Sequence, residues 1–284
     1  MDVKNAFLNG DLTEEVYMQP LLGSSVPFIK FEKKDLGLFS YFLGLEISHD
    51  PSGYFLTQAK YIYNLLARVG LTNCKAATTP VDPQTHLTPL DGHLLFDATL
   101  YRQLVGSLVY LTVTHPDIAY VVHIVNQFMV ASRFLHYDAL DYILHYLKGT
   151  MFHGLHYSAH SSLQLHAFSD ADWAGDPTDH RSTIGFCFFL GDFLITWRSK
   201  KQTIVARSSI DAEYRALADT TQELVWLRWL LTDMRILHPA ATTLYCDNQS
   251  LENYSVRYFG LLGSIEMIAS LIAINRVRVN CVSL

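Results

Sequence analysis

Apolar and polar positions recur along this chain with two different periods, and the change of period marks where the elements should change. Aromatic-rich runs at residues 41–47 and 54–56 flank Asp50-Pro51-Ser52-Gly53, the composition of a hairpin turn between two strands. Over residues 58–69 the spacing of Tyr61, Ile62, Leu65 and Leu66 predicts a helix, with Gly70 just past its end. Residues 78–95 are dense in Pro, Thr, Asp and Gly and read as a linker. Helical spacing returns at residues 101–113, 117–130 and 139–147; Pro116-Asp117 opens the second and Gly149 ends the third. These three helices should pack together.

Near residue 163 the period drops to two. Leu163, Leu165 and Ala167 alternate with Gln164, His166 and Phe168, and the pattern runs into Ser169-Asp170-Ala171-Asp172, so a carboxylate stands at a strand end. Strands at 184–190 and 193–197 follow, joined at Gly191-Asp192, a hairpin signal. Ser208 and Asp211 have the spacing of a capping box ahead of a long helix, along which Ala212, Leu217, Leu224, Leu227 and Leu231 form a buried stripe. Glu213 is expected in the first turn of that helix, where the positive end of the helix dipole favours an ionised carboxylate. A short apolar strand then ends at Asp247. The apolar residues 251–284 predict a further helix at 265–274 and a strand through Val277, Val279 and Cys281.

Composition narrows the class. A chain of 284 residues is long enough for about two domains, and a hydrophobic content of 50% with a mean hydropathy of +0.14 argues against disorder. The apolar runs at 104–113 and 118–130 are split by His115-Pro116-Asp117 and fall short of the ~18 residues a membrane span needs, so no membrane partner is expected. No basic segment precedes an apolar one at the start, which points to a cytoplasmic or nuclear rather than secreted protein. Cys74, Cys187, Cys246 and Cys281 are widely spaced, without the pairing of a zinc site or disulfide frame. Net charge is −6, so phosphate affinity would have to come from local basic groups. His115, His123, His136 and His145 are scattered over apolar helices and read as core or surface residues, not ligands.

Five motifs then stand in a fixed order: Ser169-Asp170-Ala171-Asp172-Trp173-Ala174-Gly175-Asp176, Arg181-Ser182-Thr183, Trp197-Arg198-Ser199-Lys200-Lys201-Gln202, Asp211-Ala212-Glu213-Tyr214 and Asp247-Asn248-Gln249-Ser250. This set resembles the ribonuclease H domain of copia-type retrotransposon polyproteins. Upstream, MDVKNAFLNGDL, KKDLG, SYFLGLEI, YRQLVGSLVYLT and ILHYLKGT are similar to the reverse transcriptase of the same polyproteins. The resemblance implies an α/β fold: a ribonuclease H-like mixed sheet with helices, preceded by a helical connection or thumb-like module and a truncated palm remnant. The implied divisions are 1–77 palm remnant, 78–98 linker, 99–160 helical module, 161–250 ribonuclease H-like domain and 251–284 divergent tail.

By that resemblance Asp170, Glu213 and Asp247 are the catalytic carboxylates and the ligands of two Mg²⁺ ions, with Asp172 at most auxiliary. The chemistry is consistent, because Mg²⁺ prefers oxygen ligands and keeps several waters, which suits a shallow cluster of Asp and Glu. Hydrolysis then needs one ion to activate water and another to stabilise the leaving oxygen. The implied partner is an RNA–DNA hybrid, held by Arg198, Lys200, Lys201 and Arg207 through its phosphates; no small-molecule cofactor is expected. Asp2 matches a metal-binding Asp of the polymerase, but the sequence has no Asp-Asp dipeptide to partner it, so Asp2 is vestigial and polymerase activity is expected to be lost. The segment after Ser250 departs from the family pattern. A second reading therefore stays open, a catalytically dead relic that at most binds nucleic acid.

Overall fold

The computed structural model describes residues 40–82, 87–90, 92–236 and 242–246. Asp2, Asp247 and the tail at 251–284 lie outside the described residues. Two four-stranded sheets and five α-helices make up the mixed α/β architecture.

The first sheet comprises β1 (Tyr41–Phe42), β2 (Leu45–Asp50), β3 (Gly53–Thr57) and β4 (Gly154–Ser158), antiparallel in that order. The expected hairpin is β2–β3. Asp50 closes its turn, its Oδ1 accepting from the Ser52 amide at 2.7 Å and the Gly53 amide at 3.2 Å. Gly53 is required here, since its φ is +150° and a Cβ would lie 2.1 Å from the Tyr157 carbonyl oxygen of β4. β4 falls inside the stretch read as a helical module, and its pairing from Gly53↔Ser158 to Thr57↔Gly154 spans about a hundred residues of chain.

Four helices build the first core. They are α1 (Ala59–Arg68), α2 (Thr99–Leu111), α3 (Ala119–Asn126) and α4 (Phe134–Gly149). Ile62, Leu65 and Leu66 of α1 are buried in one cluster with Leu104 and Leu108 of α2, Val121 and Val125 of α3, and Leu140, Ile143 and Leu147 of α4. The helix expected at 117–130 is shorter than its pattern: Pro116–Ile118 forms a 3₁₀ turn, and regular helix ends at Asn126. The last helix starts earlier than expected, because the side chain of His136 bonds back to the Arg133 amide and satisfies an end donor.

The second sheet has β5 (Leu165–Ala171) at its centre, with β6 (Thr183–Leu190), β7 (Phe193–Lys201) and β8 (Thr243–Tyr245), in the order β7-β6-β5-β8. β5, β6 and β7 are antiparallel neighbours, and β8 runs parallel to β5 from His166↔Thr243 to Phe168↔Tyr245. Parallel strands need a crossover, and here it is α5 (Ser209–Asp233), which buries Leu224, Leu227 and Leu231 against Leu165, Ala167, Phe188 and Leu244. Burial along β5 alternates with period two as the sequence predicts: Leu165, Ala167, Ser169 and Ala171 face α5, and His166, Phe168 and Asp170 face away.

The two sheets meet through β7. Trp197 Nε1 donates to the Thr112 carbonyl at 3.0 Å, Lys201 Nζ to Gln127 Oε1 at 3.1 Å, and the rings of Tyr157 and Phe193 meet edge to face at 5.7 Å. Among the described residues no helix is long and apolar enough to cross a membrane.

Candidate functional site

Asp170 occupies the penultimate position of β5, level with Gly185 of β6, which in turn pairs with Ser199 of β7. Gly185 therefore puts no side chain directly opposite the carboxylate. α5 is tied to the same end by three contacts. Ser169 Oγ and Thr220 Oγ1 share a buried hydrogen bond of 2.8 Å, Gln202 Nε2 donates to the Ala212 carbonyl at 2.9 Å, and Glu213 Oε1 accepts from the Ala171 amide at 3.4 Å. The buried Glu213 side chain therefore reaches the residue adjacent to Asp170.

Ser208 caps α5 by accepting from the Asp211 amide at 3.2 Å, as the capping-box spacing predicts. That cap puts Asp211, not Glu213, in the first turn. The helix dipole acts mainly within that turn, so the expectation that it favours an ionised Glu213 gives way; the dipole and the Arg207 amide act on Asp211 instead. The hydrogen bond from the Arg207 amide, against an opposing desolvation and with help from Arg215, lowers the Asp211 carboxyl below its ordinary range. Asp211 is thus part of the helix start.

Asp172, two residues beyond Asp170, has the same strand parity but a structural task. Its Oδ1 accepts from the Thr183 amide, and its own amide donates to the Thr183 carbonyl at 3.2 Å. Burial pushes its carboxyl up, only partly offset by the Thr183 bonds. Gly175 allows this packing, since a Cβ there would lie 2.1 Å from Asp172 Oδ2. The loop is closed further by Ser182 Oγ accepting from the Ala174 amide at 3.1 Å and by Trp173 Nε1 donating to the Ala206 carbonyl at 3.3 Å.

The strand expected at 193–197 is longer than its pattern: β7 runs on through Lys201, so Arg198, Lys200 and Lys201 are strand residues. Arg198 pairs with Glu223 at 3.4 Å and Lys200 with Asp219 at 3.0 Å, both on α5. Lys201 points to the opposite face and bridges Asp176 at 2.5 Å and Asp179 at 2.9 Å. Desolvation acts downward on the Lys201 ammonium, but its hydrogen bonds to the Asp176 and Asp179 carboxylates outweigh it and raise its pKa. Arg207 is exposed, and among the described residues its side chain is in no ion pair.

Glu213 reaches the Ala171 backbone from the α5 side while Asp170 stands on the other face of the same strand end, Asp172 and Lys201 frame the adjoining loop, and Arg198 and Lys200 face the helix side of the sheet. Among the described residues no three His, Cys, Asp or Glu side chains form a metal-binding group; Asp247, the third expected carboxylate, falls outside them. Gln202 and Ser182 are positioning residues that the sequence pattern did not single out. Both sit inside the motifs, and being uncharged they carry no chemical signal of their own.

Against known proteins, residues of this chain are 46% identical over 219 positions to the retrovirus-related Pol polyprotein from transposon RE1 of Arabidopsis thaliana, covering 77% of the chain. It is 34% identical over 229 residues, 78% of the chain, to the corresponding polyprotein from transposon TNT 1-94 of Nicotiana tabacum. An uncharacterized mitochondrial protein of Arabidopsis thaliana is 46% identical over 196 residues, and there the match covers 81% of the relative. The chain belongs to the copia-type retrotransposon Pol polyproteins. This Pol chain spans 15% of the length of the RE1 polyprotein and 17% of the TNT 1-94 polyprotein. No family model and no solved structure matches it.

Proposed function

We propose that this retroelement-derived Pol chain is a Mg²⁺-dependent ribonuclease H, cleaving the RNA strand of an RNA–DNA hybrid, with polymerase activity lost. The observation that carries the reading is the approach of Glu213 to the Ala171 amide, which brings a helix carboxylate to the backbone next to Asp170 at the end of β5. The sheet order β7-β6-β5-β8, with three antiparallel strands, one crossover helix and a parallel fourth strand, supports the ribonuclease H-like arrangement. So does the order of the five motifs.

The donor set fits a hard cation, since the Asp170 and Glu213 carboxylates offer only oxygen. Asp170 and Glu213 would hold the ions, with Asp247 assigned on sequence alone. Bound there, Mg²⁺ supplies the activation of water and the neutralisation of charge on the scissile phosphate. The protein's own part is preorganisation. Ser169 and Thr220 lock the strand to the helix, Gln202 holds the Ala212 carbonyl next to Glu213, and the Asp172–Thr183 contacts keep the strand end from fraying. Arg207 is the basic group best placed to meet a phosphate, as it is exposed beside the start of α5.

Incubating the full chain with a labelled RNA–DNA hybrid and Mg²⁺ tests the reading. Cleavage above that of Asp170→Asn is the expected result, and equal rates would remove the catalytic claim. The ion pairing of Arg198, Lys200 and Lys201 favours one other reading, an inert relic whose basic groups serve the fold. In that case neither cleavage nor salt-sensitive hybrid binding should be found.

A further inference from the structure

The loop after β5 carries an exposed aromatic ring next to the candidate carboxylates. Trp173 is 56% exposed although it sits three residues from Asp170. It is nevertheless held, because its indole N–H donates to the Ala206 carbonyl. The Ala206 segment is itself apolar and open: Ile204 is 57% and Val205 46% exposed, and across the helix start Tyr214, the neighbour of Glu213, is 47% exposed. Arg207 adjoins them. One end of the second sheet thus presents a fixed indole, a tyrosine and an arginine around the end of β5. Burial would be the ordinary fate of such side chains, and an apolar patch rimmed by polar groups marks a contact surface.

We propose that Trp173 is a stacking platform for a nucleotide of the bound strand, with Arg207 taking a neighbouring phosphate. The proposal rests on the ribonuclease reading for its choice of ligand. Three features favour a nucleic acid over a protein. The ring is fixed by its edge while more than half of it stays exposed, able to take a base or sugar, which is how sequence-tolerant strand binding works. Trp173 follows Asp170 of the strand end by three residues, and Arg207 precedes the start of the helix that carries Glu213. Arg207, next to Ala206 in the chain, is an exposed guanidinium outside any ion pair among the described residues, complementary to a phosphate.

Affinity of the full chain for an RNA–DNA hybrid, measured without divalent ions across a range of salt, reads this interaction apart from catalysis. Trp173→Ala should weaken binding on the order of tenfold while leaving the salt slope unchanged, because stacking releases no counterions. Trp173→Phe, which loses the bond to Ala206 but keeps an aromatic face, should retain most of the affinity. Arg207→Ala should lower the slope of log affinity against log salt by about one. Unchanged affinity in a folded Trp173→Ala, or equal losses in the Ala and Phe variants, would overturn the proposal while leaving the ribonuclease reading intact. Wild-type binding without Asp170-dependent cleavage, lost in Trp173→Ala, would sink the ribonuclease reading and keep the stacking site. Absence of hybrid binding by the wild type would end both.

Discussion

Lys201 shows how a residue's neighbours decide its role. As one of two adjacent lysines it has the look of a phosphate ligand, yet its ammonium bridges Asp176 and Asp179 and also donates to Gln127. Its side chain is only 18% exposed, so these contacts are shielded from competing water far better than those of Lys200, at 46%. Removing one partner of a shielded pair strands the others, whereas exposed pairs contribute little. Lys201→Met should therefore cost on the order of 1–3 kcal/mol of stability and Lys200→Met a few tenths. Denaturant melts of the two variants check this, and equal losses would mean that Lys201 is no clamp. If hybrid affinity is measured alongside, Lys201→Met should leave the salt slope unaltered, since a lysine spent on carboxylates neutralises no phosphate.

At the scale of elements, what was legible in sequence is what local pattern encodes. The alternation through Leu165, Ala167 and Ser169 located β5 and put Asp170 at its end, and the Ser208 and Asp211 spacing located the start of α5. β4 was missed because Gly154-Leu155-His156-Tyr157-Ser158 has little local strand signal; its partner β3 lies far back in the chain, and only tertiary pairing makes it a strand. Residues on both sides of 78–98 contribute to one core, since Ile62, Leu65 and Leu66 of α1 belong to the same cluster as residues of α2, α3 and α4. The same logic accounts for Arg198 and Lys200, whose partners Glu223 and Asp219 come from another element and leave no mark on the sequence around them. A local device, by contrast, supports a local prediction. Ser208→Ala removes the acceptor for the Asp211 amide and should destabilise the second sheet's crossover helix by about 1 kcal/mol, with Ser208→Asp close to wild type. Thermal denaturation of both variants measures it, and an unperturbed Ser208→Ala would show that packing of Leu224, Leu227 and Leu231 alone sets the helix start.

The whole molecule hangs together at β7, one face of which packs on α5 while the other meets α2 and α3. Asp170 stands on the face that includes Trp197 and Lys201, so the upstream helices lie on the same side of the sheet as the candidate carboxylate. His123 of α3 reports on that junction. Its Nε2 is buried without a hydrogen-bond partner among the described residues. Burial first, and then the positive charges of Lys201 and Arg198, lower its pKa from the ordinary 6.5. His115, in the core beneath, is lowered by burial as well, against a partial upward pull from Asp117. A histidine with a lowered folded-state pKa contributes its stability above the unfolded value, because below it the unfolded chain takes up the proton that the folded chain refuses. Stability is therefore lost as pH falls from about 6.5 through the lowered folded values. The Asp176–Lys201 bridge plays no part in that window. Desolvation raises Asp176, but its bonds to Lys201 and the Thr178 amide carry the net shift downward, so its contribution fades only below 3.8. The melting temperature of the full chain should accordingly drop between pH 7 and pH 5, and His123→Gln, which cannot titrate, should drop less while His115 continues to act. Parallel curves for wild type and variant would show that α3 meets β7 without burying a proton-sensitive group.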